Sequence, residues 1–466
     1  MKGIQENLPP VYGKVLLPSI KAAYLDSGKT IIVLDDDPTG TQTSYEVPVL
    51  SHWDVPLLIE ELEKKPSILF VSTNSRSFPE QEAIELSLQV GKNLKTAVDE
   101  CQLDYVLISR SDSTLRGHFP AEVNAIARAM DLQEAVWVLI PAFIEGGRYT
   151  LNDVHYFLEK DRLIPVARSP FARDQAFGYT SSDLKEWVEE KSLGKIKSED
   201  VISISLTEIR TGGPEAVCDK LLKCKPADVC IVNALDPSDL EVFAMGSILA
   251  ENRGKKFIFR SSATFVPIRA GIPSGKKAHI TGNQTTRGSL TIVGSYVPKT
   301  TEQLNFLIDK NRHFTIEIDV FALLSNKISP NYLTGVTSKI DKLMREGKDV
   351  LLYTSRELAR GDSPESSLKI NRMVSEFLIQ IVQGIAVRPS FIIAKGGITS
   401  NDIAVKALQV KKAMVLGQIL PGIPVWELGK TSRFPDLNYV LFPGNVGEKD
   451  TLWKVFSELK STGTPQ

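Results

Sequence analysis

The chain has 466 residues, of which 42% are hydrophobic and 24% are charged, a composition typical of a globular protein. This length exceeds what one hydrophobic core usually supports, so we expect two or three domains. Lys and Arg total 55 against 56 for Asp and Glu, so the net charge of −1 includes no basic excess that would indicate nucleic-acid binding.

The sequence also argues against a membrane or a zinc-dependent protein. No apolar run approaches the length of a membrane span, and Met1 to Tyr12 lacks the basic-then-apolar order of a signal peptide. We therefore expect a cytoplasmic protein. The four cysteines form no CxxC pair and the five histidines form no HxxxH pair, so we predict reduced thiols and no bound structural metal.

The first predicted strand ends in three consecutive carboxylates. Residues 31–34 are typical of a buried strand, residues 35–37 are all Asp, and a turn follows at 38–40. Adjacent carboxylates repel one another, so this cluster is favoured where it binds hydroxyl groups or a divalent cation. Open α/β sheets bind ligands at the carboxyl ends of their strands. The alternative interpretation is an acidic, solvated turn.

Short apolar strands then alternate with helices along most of the chain. We predict strands at 67–71, 105–108, 135–140, 229–232, 257–259, 290–295, 349–353 and 391–394, and helices at 79–98 and 366–383. This alternation implies mainly parallel sheets covered by helices. A polar, glycine-rich stretch at 270–289 is typical of a linker. We therefore predict two α/β domains, residues 1–270 and 285–466.

Polar and charged residues follow several of these strands. Their carboxylates and hydroxyls suit sugar hydroxyl groups, and their guanidinium groups suit a carboxylate, which they bind through two parallel hydrogen bonds. The loops therefore predict a pocket for a small, anionic, hydroxylated compound. The alternative is a surface loop with internal Asp–Arg pairs. The candidate residues are Asp36, Asp37, Asn74, Ser75, Arg76, Asp112, Ser113, Arg116, Gly117 and Arg148.

A glycine turn joins a predicted strand to a helix in the second domain. Gly396 and Gly397 free backbone N–H groups to face an anion, and the start of the helix adds positive potential. Thr399 or Ser400 can cap the helix or contact a phosphate. The spacing is not that of Walker A, so an ordinary capped turn is the alternative. A phosphate loop in one domain and a polyol pocket in the other indicate a kinase with a closing cleft.

Several motifs, in order, resemble those of the four-carbon acid sugar kinases, which phosphorylate threonate, erythronate and 3-oxo-tetronate. Residues 36–40 are similar to the family's DDxTG motif, 112–117 to DSTLRG, 141–148 to PAFPxxGR, and 396–399 with 421–424 to its nucleotide-site signature. The resemblance implies an amino-terminal acid-sugar domain, a carboxy-terminal ATP domain and an active site in the cleft between them.

The resemblance also implies roles for particular residues. Arg76 and Arg116 would hold the substrate carboxylate, while Asp36, Asp37 and Asp112 would bind hydroxyls, with one of these acids accepting the proton. Mg²⁺ would bridge the nucleotide phosphates. The residues onto which ATP contacts map, or which lie next to them, are Ser295, Gly396, Gly397, Ile398, Thr399, Gly444 and Asn445.

The chain departs from the family pattern in ways that leave the sugar acid and its stereochemistry open. Asp35 adds a third acid to the first motif, and Phe442 stands where the family has Lys. The segment 167–179 is longer and more basic than we expect of threonate kinases.

Two other functions remain open from the sequence. The residues from Asp35 to Thr39 also fit the DxDxT motif of haloacid-dehalogenase-type phosphatases, with Asp35 as nucleophile and Asp37 as general acid. A non-catalytic sugar-acid-binding protein would bind the same ligand without using the turn at 396–397. ADP production on adding a tetronate separates the three functions. We expect small-molecule partners, without nucleic acid or membrane, and a chain that acts alone or as a homodimer.

Overall fold

The computed structural model describes residues 8–273, 277–280, 285–295, 297–310, 312–325, 329, 331–356, 364–444 and 446–462. The chain divides into two compact units, Met1–Gly275 and Lys276–Gln466. Each unit has a mainly parallel sheet flanked by helices, which confirms the predicted fold class.

Within residues 8–273, the first unit contains an eight-stranded parallel sheet in the order β2–β3–β1–β4–β11–β5–β10–β9 and a small antiparallel sheet, β6–β7–β8. The strands are β1 (Thr30–Asp35), β2 (Val47–Leu50), β3 (Ile68–Ser72), β4 (Tyr105–Arg110), β5 (Val136–Ile140), β6 (Arg148–Leu151), β7 (Val154–Glu159), β8 (Arg162–Pro165), β9 (Ile202–Ile204), β10 (Val229–Val232) and β11 (Phe257–Ser261). The small sheet was not predicted.

Eight α-helices are described in the first unit. They are α1 (Leu17–Ser27), α2 (Val55–Leu62), α3 (Glu80–Glu100), α4 (Ala121–Ala129), α5 (Leu184–Lys191), α6 (Gly213–Lys223), α7 (Pro237–Asn252) and α8 (Phe265–Arg269). The helix predicted at 79–98 is α3, whose Val90 and Leu94 pack in the same hydrophobic core as Ile32 of β1 and Leu69 of β3. This packing buries the strands on the helix side of the sheet.

The strand order of the first unit brings the acidic loop to a central position. β1 pairs with β3 on one side and with β4 on the other, and Asp35 lies level with Ser72 and Arg110. From β1 the chain passes to β2, which lies beyond β3, and then returns to β3 beside β1. It next crosses to β4 on the opposite side of β1. The end of β1 is therefore a topological switch point, where open α/β sheets form a crevice for ligands.

The described residues of the second unit contain seven strands in the order β13–β14–β12–β15–β18–β17–β16, with β17 antiparallel to both neighbours. The strands are β12 (Leu290–Val293), β13 (Phe314–Ile318), β14 (Val350–Thr354), β15 (Phe391–Lys395), β16 (Lys412–Leu420), β17 (Ile423–Leu428) and β18 (Asn438–Phe442). The helices are α9 (Pro298–Asp309), α10 (Val320–Leu324), α11 (Tyr332–Arg345), α12 (Pro364–Gly384), α13 (Gly397–Asp402) and α14 (Thr451–Thr462).

The first four strands of the second unit repeat the order of the first four strands of the first unit. β12 pairs with β14 and with β15, so the end of β12 is again a switch point. Part of the stretch predicted as a linker belongs to this unit, because the N–H of Ala278 donates to the carbonyl of Gln418 at 2.8 Å. Among the helices that the structure describes, none combines the length and the apolar character needed to cross a lipid bilayer.

Candidate functional site

The three predicted catalytic acids of the first unit converge on one guanidinium. Arg76, in the loop after β3, lies 2.7 Å from Asp36, 3.2 Å from Asp37 and 3.5 Å from Asp112. Burial alone would lower the pKa of Arg76, but these three carboxylates raise it above its ordinary value. Arg76 is thus a permanent cation that holds acids from the ends of two strands in one cluster.

Among these acids, Asp37 is the most exposed. Its side chain is 26% exposed, against 4% for Asp36 and 14% for Asp112. The backbone N–H and the hydroxyl of Thr39 both donate to Asp37 Oδ1. Burial tends to raise the pKa of Asp37, but Arg76, Arg110 and the Thr39 hydrogen bonds outweigh it and hold the pKa below its usual value. Asp37 is therefore an ionised carboxylate with access to solvent.

Asp112 and Arg116 form a second ion pair beside the first cluster. Arg116 Nε donates to Asp112 at 2.8 Å, and the Thr114 hydroxyl donates to the same carboxylate. Burial would raise the pKa of Asp112, but Arg116 and Arg76 hold it far below its usual range. Arg116 is 25% exposed, so its guanidinium combines a fixed position with access to a ligand.

The segment 167–179, which distinguished this sequence, packs on the loop that carries Arg116. The Phe171 ring lies 4.8 Å from the Arg116 guanidinium, and Asp174 lies 3.8 Å from it. The Tyr179 hydroxyl donates to the Thr114 carbonyl at 2.7 Å. The segment therefore fixes the position of Arg116, which places it next to the predicted carboxylate-binding group.

Asp35 has a different environment from the other acids of its motif. It is 1% exposed, and its carboxylate lies 3.2 Å from Arg110. Burial raises the pKa of Asp35 to about 7, against the lowering effect of Arg110. A carboxylate enclosed in this way is not accessible as the nucleophile that the phosphatase alternative requires.

The remaining predicted residues occupy varied positions. Asn74 donates from its side chain to Ser77 at 3.1 Å, and Ser113 accepts at its carbonyl from His155 at 2.8 Å, so both are occupied by contacts within the unit. Ser75 is fully buried beside Thr73. Arg148 donates to the carbonyl of Gly146.

Sequence reasoning missed Arg260, which lies on β11 beside β4. It is 5% exposed and donates to Ser111 at 2.7 Å and to Ser109 at 3.3 Å. A Cβ at Gly117, whose φ is +114°, would lie 2.8 Å from Arg260 Nη2 and 3.0 Å from Asp36. Only glycine fits this close approach, so Gly117 lets the loop close over the buried charges.

Two guanidinium groups of this region form no ion pair among the described residues, Arg148 and Arg260, whereas Arg76, Arg110 and Arg116 each do. Burial lowers the pKa of Arg260, but Asp36 and Glu122 lie near enough to oppose this effect. Burial also lowers the pKa of Arg148, and there Asp112 is the opposing acid. Positive charge without an ion-pair partner, as at Arg148, favours an anionic ligand.

In the second unit the two glycines of the predicted phosphate turn are not equivalent. Gly396 has a φ of +122°, and a Cβ there would lie 3.0 Å from Ser295. Gly397 begins α13 and has open space where a Cβ would stand. The left-handed backbone that favours glycine therefore occurs at Gly396 and not at Gly397.

Residues predicted to contact the nucleotide gather at the end of β12. A Cβ at Gly444 would lie 3.5 Å from the Ser295 hydroxyl, and Thr399 lies beside Gly396. The Thr300 hydroxyl donates to the Gly444 carbonyl at 3.1 Å. Ile398 is 58% exposed, and Asn445 lies outside the described residues. Ser295, Gly396, Thr399 and Gly444 are thus brought together from three strand ends.

Lys395, the last residue of β15, connects two of these elements. Its side chain is fully buried, and its ammonium donates to the carbonyls of Pro443 at 2.5 Å and Gly444 at 3.2 Å. It also lies 3.9 Å from the centre of the Phe442 ring, a cation–π contact. Burial lowers the pKa of Lys395 to about 7, with a smaller effect from Lys299.

This pKa predicts how stability depends on pH. In the unfolded chain the pKa of a lysine is about 10.4, so between pH 7 and 10 the unfolded state binds more protons at Lys395 than the folded state does. The free energy of unfolding should therefore gain a contribution that rises with pH in this range. Lys395→Met should remove it, as measured by urea denaturation of both proteins at several pH values. Equal slopes for the two proteins would contradict the shifted pKa.

No group of three or more His, Cys, Asp or Glu side chains that could hold a metal ion occurs in the part of the chain that the structure describes. The acids around Arg76 are occupied by guanidinium and hydroxyl groups.

Two family models match the chain. Residues 31–268 match a family described as "Sugar-binding N-terminal domain", and residues 290–452 match one described as "Nucleotide-binding C-terminal domain". The two matches together span most of the sequence.

Curated relatives and solved structures match over nearly the whole chain. A D-threonate kinase of Salmonella typhimurium is 23% identical over 441 residues, with 91% of this chain and 96% of the relative covered. A 3-oxo-tetronate kinase of Actinobacillus succinogenes is 24% identical over 401 residues, covering 84% and 89%. A crystal structure of a Haemophilus influenzae protein shares the fold with a TM-score of 0.64 and 17% identity, covering 93% of this chain and all of the other.

Proposed function

The chain belongs to the four-carbon acid sugar kinase family and is a phosphotransferase, and from this membership we propose that it transfers the γ-phosphoryl group of ATP to a terminal hydroxyl of a small sugar acid. Threonate, erythronate and 3-oxo-tetronate are the candidate substrates. The observation that carries the proposal is the cluster of carboxylates and guanidinium groups at the switch point of the first unit. Such a cluster suits a ligand with hydroxyls and one carboxylate.

In this proposal the substrate carboxylate binds Arg116 and Arg148. Arg116 is partly exposed and held by Asp112, and Arg148 has no ion-pair partner among the described residues. Arg76 was expected to share this role. Because three carboxylates already surround its guanidinium, we assign it instead to ordering those acids. With Arg116 and Arg148 on the carboxylate, one end of the sugar acid is fixed. Its hydroxyls then face Asp37 and Asp112.

Asp37 is our candidate for the group that accepts the proton of the attacking hydroxyl. Its carboxylate is the most exposed of the three acids and stays ionised, because Arg76 and Thr39 hold its pKa low. Phosphoryl transfer needs little covalent help from the protein, so the task of Asp37 is to orient the hydroxyl and receive its proton. Asp36, which is buried, supports Arg76 and accepts a hydrogen bond from Ser111.

The second unit would bind the nucleotide. The backbone at Gly396 and Gly397, the Ser295 hydroxyl and the Gly444 turn surround the end of β12 with polar groups. The guanidinium of Arg356, which stays protonated, fits a polyanion there. Mg²⁺ bound to the phosphates would neutralise the charge that develops during transfer. Transfer requires the hydroxyl of the sugar acid and the γ-phosphoryl group of ATP to meet in a reactive geometry.

The test is ADP release by the full-length protein with Mg²⁺ and ATP, across a panel of tetronates and their oxidised forms. We expect one stereoisomer to give rapid ADP formation together with a stoichiometric phosphorylated sugar acid, detected by ³¹P NMR. Absence of ADP with every compound would contradict the proposed kinase. Hydrolysis of a phosphorylated tetronate without ATP would instead support the phosphatase alternative.

Replacement of Arg116 tests the assignment of ligands to domains. Truncating one partner of a guanidinium–carboxylate contact typically costs 2–5 kcal/mol, so Arg116→Ala should raise KM for the sugar acid by about 30-fold or more. KM for ATP should change much less, because Arg116 belongs to the first unit. Steady-state kinetics with each substrate varied in turn measures both values. A change mainly in KM for ATP would reverse our assignment.

A further inference from the structure

Arg356 is a partly buried cation of the second unit that the sequence did not indicate. It follows β14 by two residues, and its Nη2 donates to the Ser295 carbonyl at 2.6 Å and to the Thr301 hydroxyl at 2.9 Å. Nε lies 3.3 Å from the same hydroxyl. These contacts fix one edge of the guanidinium against the residue that begins the predicted nucleotide site.

The N–H groups on the other edge of the Arg356 guanidinium remain available to a ligand. Nη1 is buried and has no hydrogen-bond partner among the described residues. A buried donor without a partner costs free energy, and binding a ligand oxygen would recover it. Buried polar atoms without partners are uncommon in native proteins, so this atom calls for an explanation.

The positive charge of Arg356 likewise has no ion-pair partner among the described residues. Within the described part of the chain it forms no ion pair with Asp or Glu, whereas Arg210 of the first unit lies 2.7 Å from Asp239. Burial lowers the pKa of Arg356, although Glu317 acts in the opposite direction. Because arginine stays protonated in proteins, the positive charge remains and an anion would stabilise it.

The location connects this cation with the other nucleotide-site residues. Ser295 follows β12, Arg356 follows β14 and Gly396 follows β15, and β12 pairs with both other strands. The three loops therefore flank the switch point where doubly wound sheets bind ligands. Lys395, a fully buried lysine there, donates to the carbonyls of Pro443 and Gly444. Nη1 of Arg356, by contrast, has no hydrogen-bond partner among the described residues.

We propose that Arg356 is a ligand of the nucleotide phosphates, with Nη1 donating to a phosphate oxygen while Ser295 and Thr301 hold the guanidinium in place. This inference rests on the proposed kinase function and names the residue that supplies charge to the nucleotide site. It predicts selectivity for di- and triphosphates over the nucleoside, because adenosine has no oxygen anion for the guanidinium to bind.

The experiment compares full-length wild type with Arg356→Gln, Arg356→Lys and Arg345→Gln by calorimetric titration with Mg²⁺ and ATP. Arg345, the last residue of α11, is exposed and serves as the matched control in the same unit. Arg356→Gln should weaken ATP binding by about 30-fold or more. Arg356→Lys, which keeps the charge but loses the planar fork, should give a smaller loss. Arg345→Gln should match wild type.

Two further readings separate a phosphate ligand from a structural role. Binding of adenosine, measured by NMR, and KM for the sugar acid should stay within about twofold of wild type in Arg356→Gln. ATP affinity within about threefold of wild type in a folded Arg356→Gln would overturn this inference and leave the kinase intact. If Arg356→Gln does not fold, ATP affinity of Arg356→Lys equal to wild type overturns it. A wild-type protein that binds no ATP would overturn the proposed function as well.

Discussion

Gly397→Val should abolish ATP binding while leaving the fold and the binding of sugar acid intact. Gly397 has no atom within 4 Å of the position of an added Cβ, so the valine side chain meets no neighbour in the protein. It would instead occupy the space in front of the backbone N–H groups at the start of α13, where we place the phosphates. Calorimetric titration of the full-length variant with ATP, and separately with the sugar acid, measures both effects.

Gly335→Val is the matched control for this experiment. Gly335 lies in α11, is exposed and likewise has open space around an added Cβ, so the same substitution adds the same side chain to a helix away from the site. Its ATP affinity should equal that of wild type. Unchanged ATP affinity in Gly397→Val would contradict the nucleotide site. Hydrolysis of a phosphorylated sugar acid that survives Gly397→Val but not Asp35→Asn would favour the phosphatase.

The acidic cluster was predictable because its signal is local. Three Asp residues follow an apolar strand directly, and a strand's carboxyl end is where such residues serve a ligand. The arginine partners of these acids were harder to predict from the sequence. Which guanidinium meets which acid depends on strand order, and β11 inserts between β4 and β5 although it follows β10 in the chain. Arg260 therefore reaches Ser111 from 149 residues away, a contact that no local pattern encodes.

The same distinction holds in the second unit. Two consecutive glycines predict a tight turn, but the sequence does not tell which of them takes the left-handed backbone, and the structure places it at Gly396. Phe442 stood out as a departure from the family pattern. In the structure, Lys395 lies level with Phe442 on the neighbouring strand, and its ammonium contacts the Phe442 ring. A lysine is therefore present beside this position, although not at it.

The hairpin formed by β16 and β17 was missed for a related reason. Alternate residues of β16 are buried, which is the strand period, but several of the residues between them are also apolar and obscured it.

Asp37→Asn should lower kcat/KM by on the order of 10²-fold or more, the usual scale for a positioned acid–base group. Asparagine keeps a side-chain oxygen that can accept from the N–H and hydroxyl of Thr39, so the loop geometry can persist. What is lost is the negative charge beside Arg76 and the ability to take a proton. Steady-state kinetics, with circular dichroism to confirm the fold, measures the effect.

Asp131→Asn provides the control for this charge removal. Asp131 is 75% exposed, and its φ of +56° is a conformation that asparagine tolerates well, so this variant should retain wild-type kinetics. The pH profile gives a second reading. Because Arg76 and Thr39 hold the pKa of Asp37 below its usual value, the loss of activity that protonation of Asp37 causes should appear only below the pH range in which an ordinary aspartate titrates. Activity of Asp37→Asn within about threefold of wild type would exclude Asp37 as the proton acceptor and leave Asp112, the next most exposed acid of the cluster, to be tested in the same way.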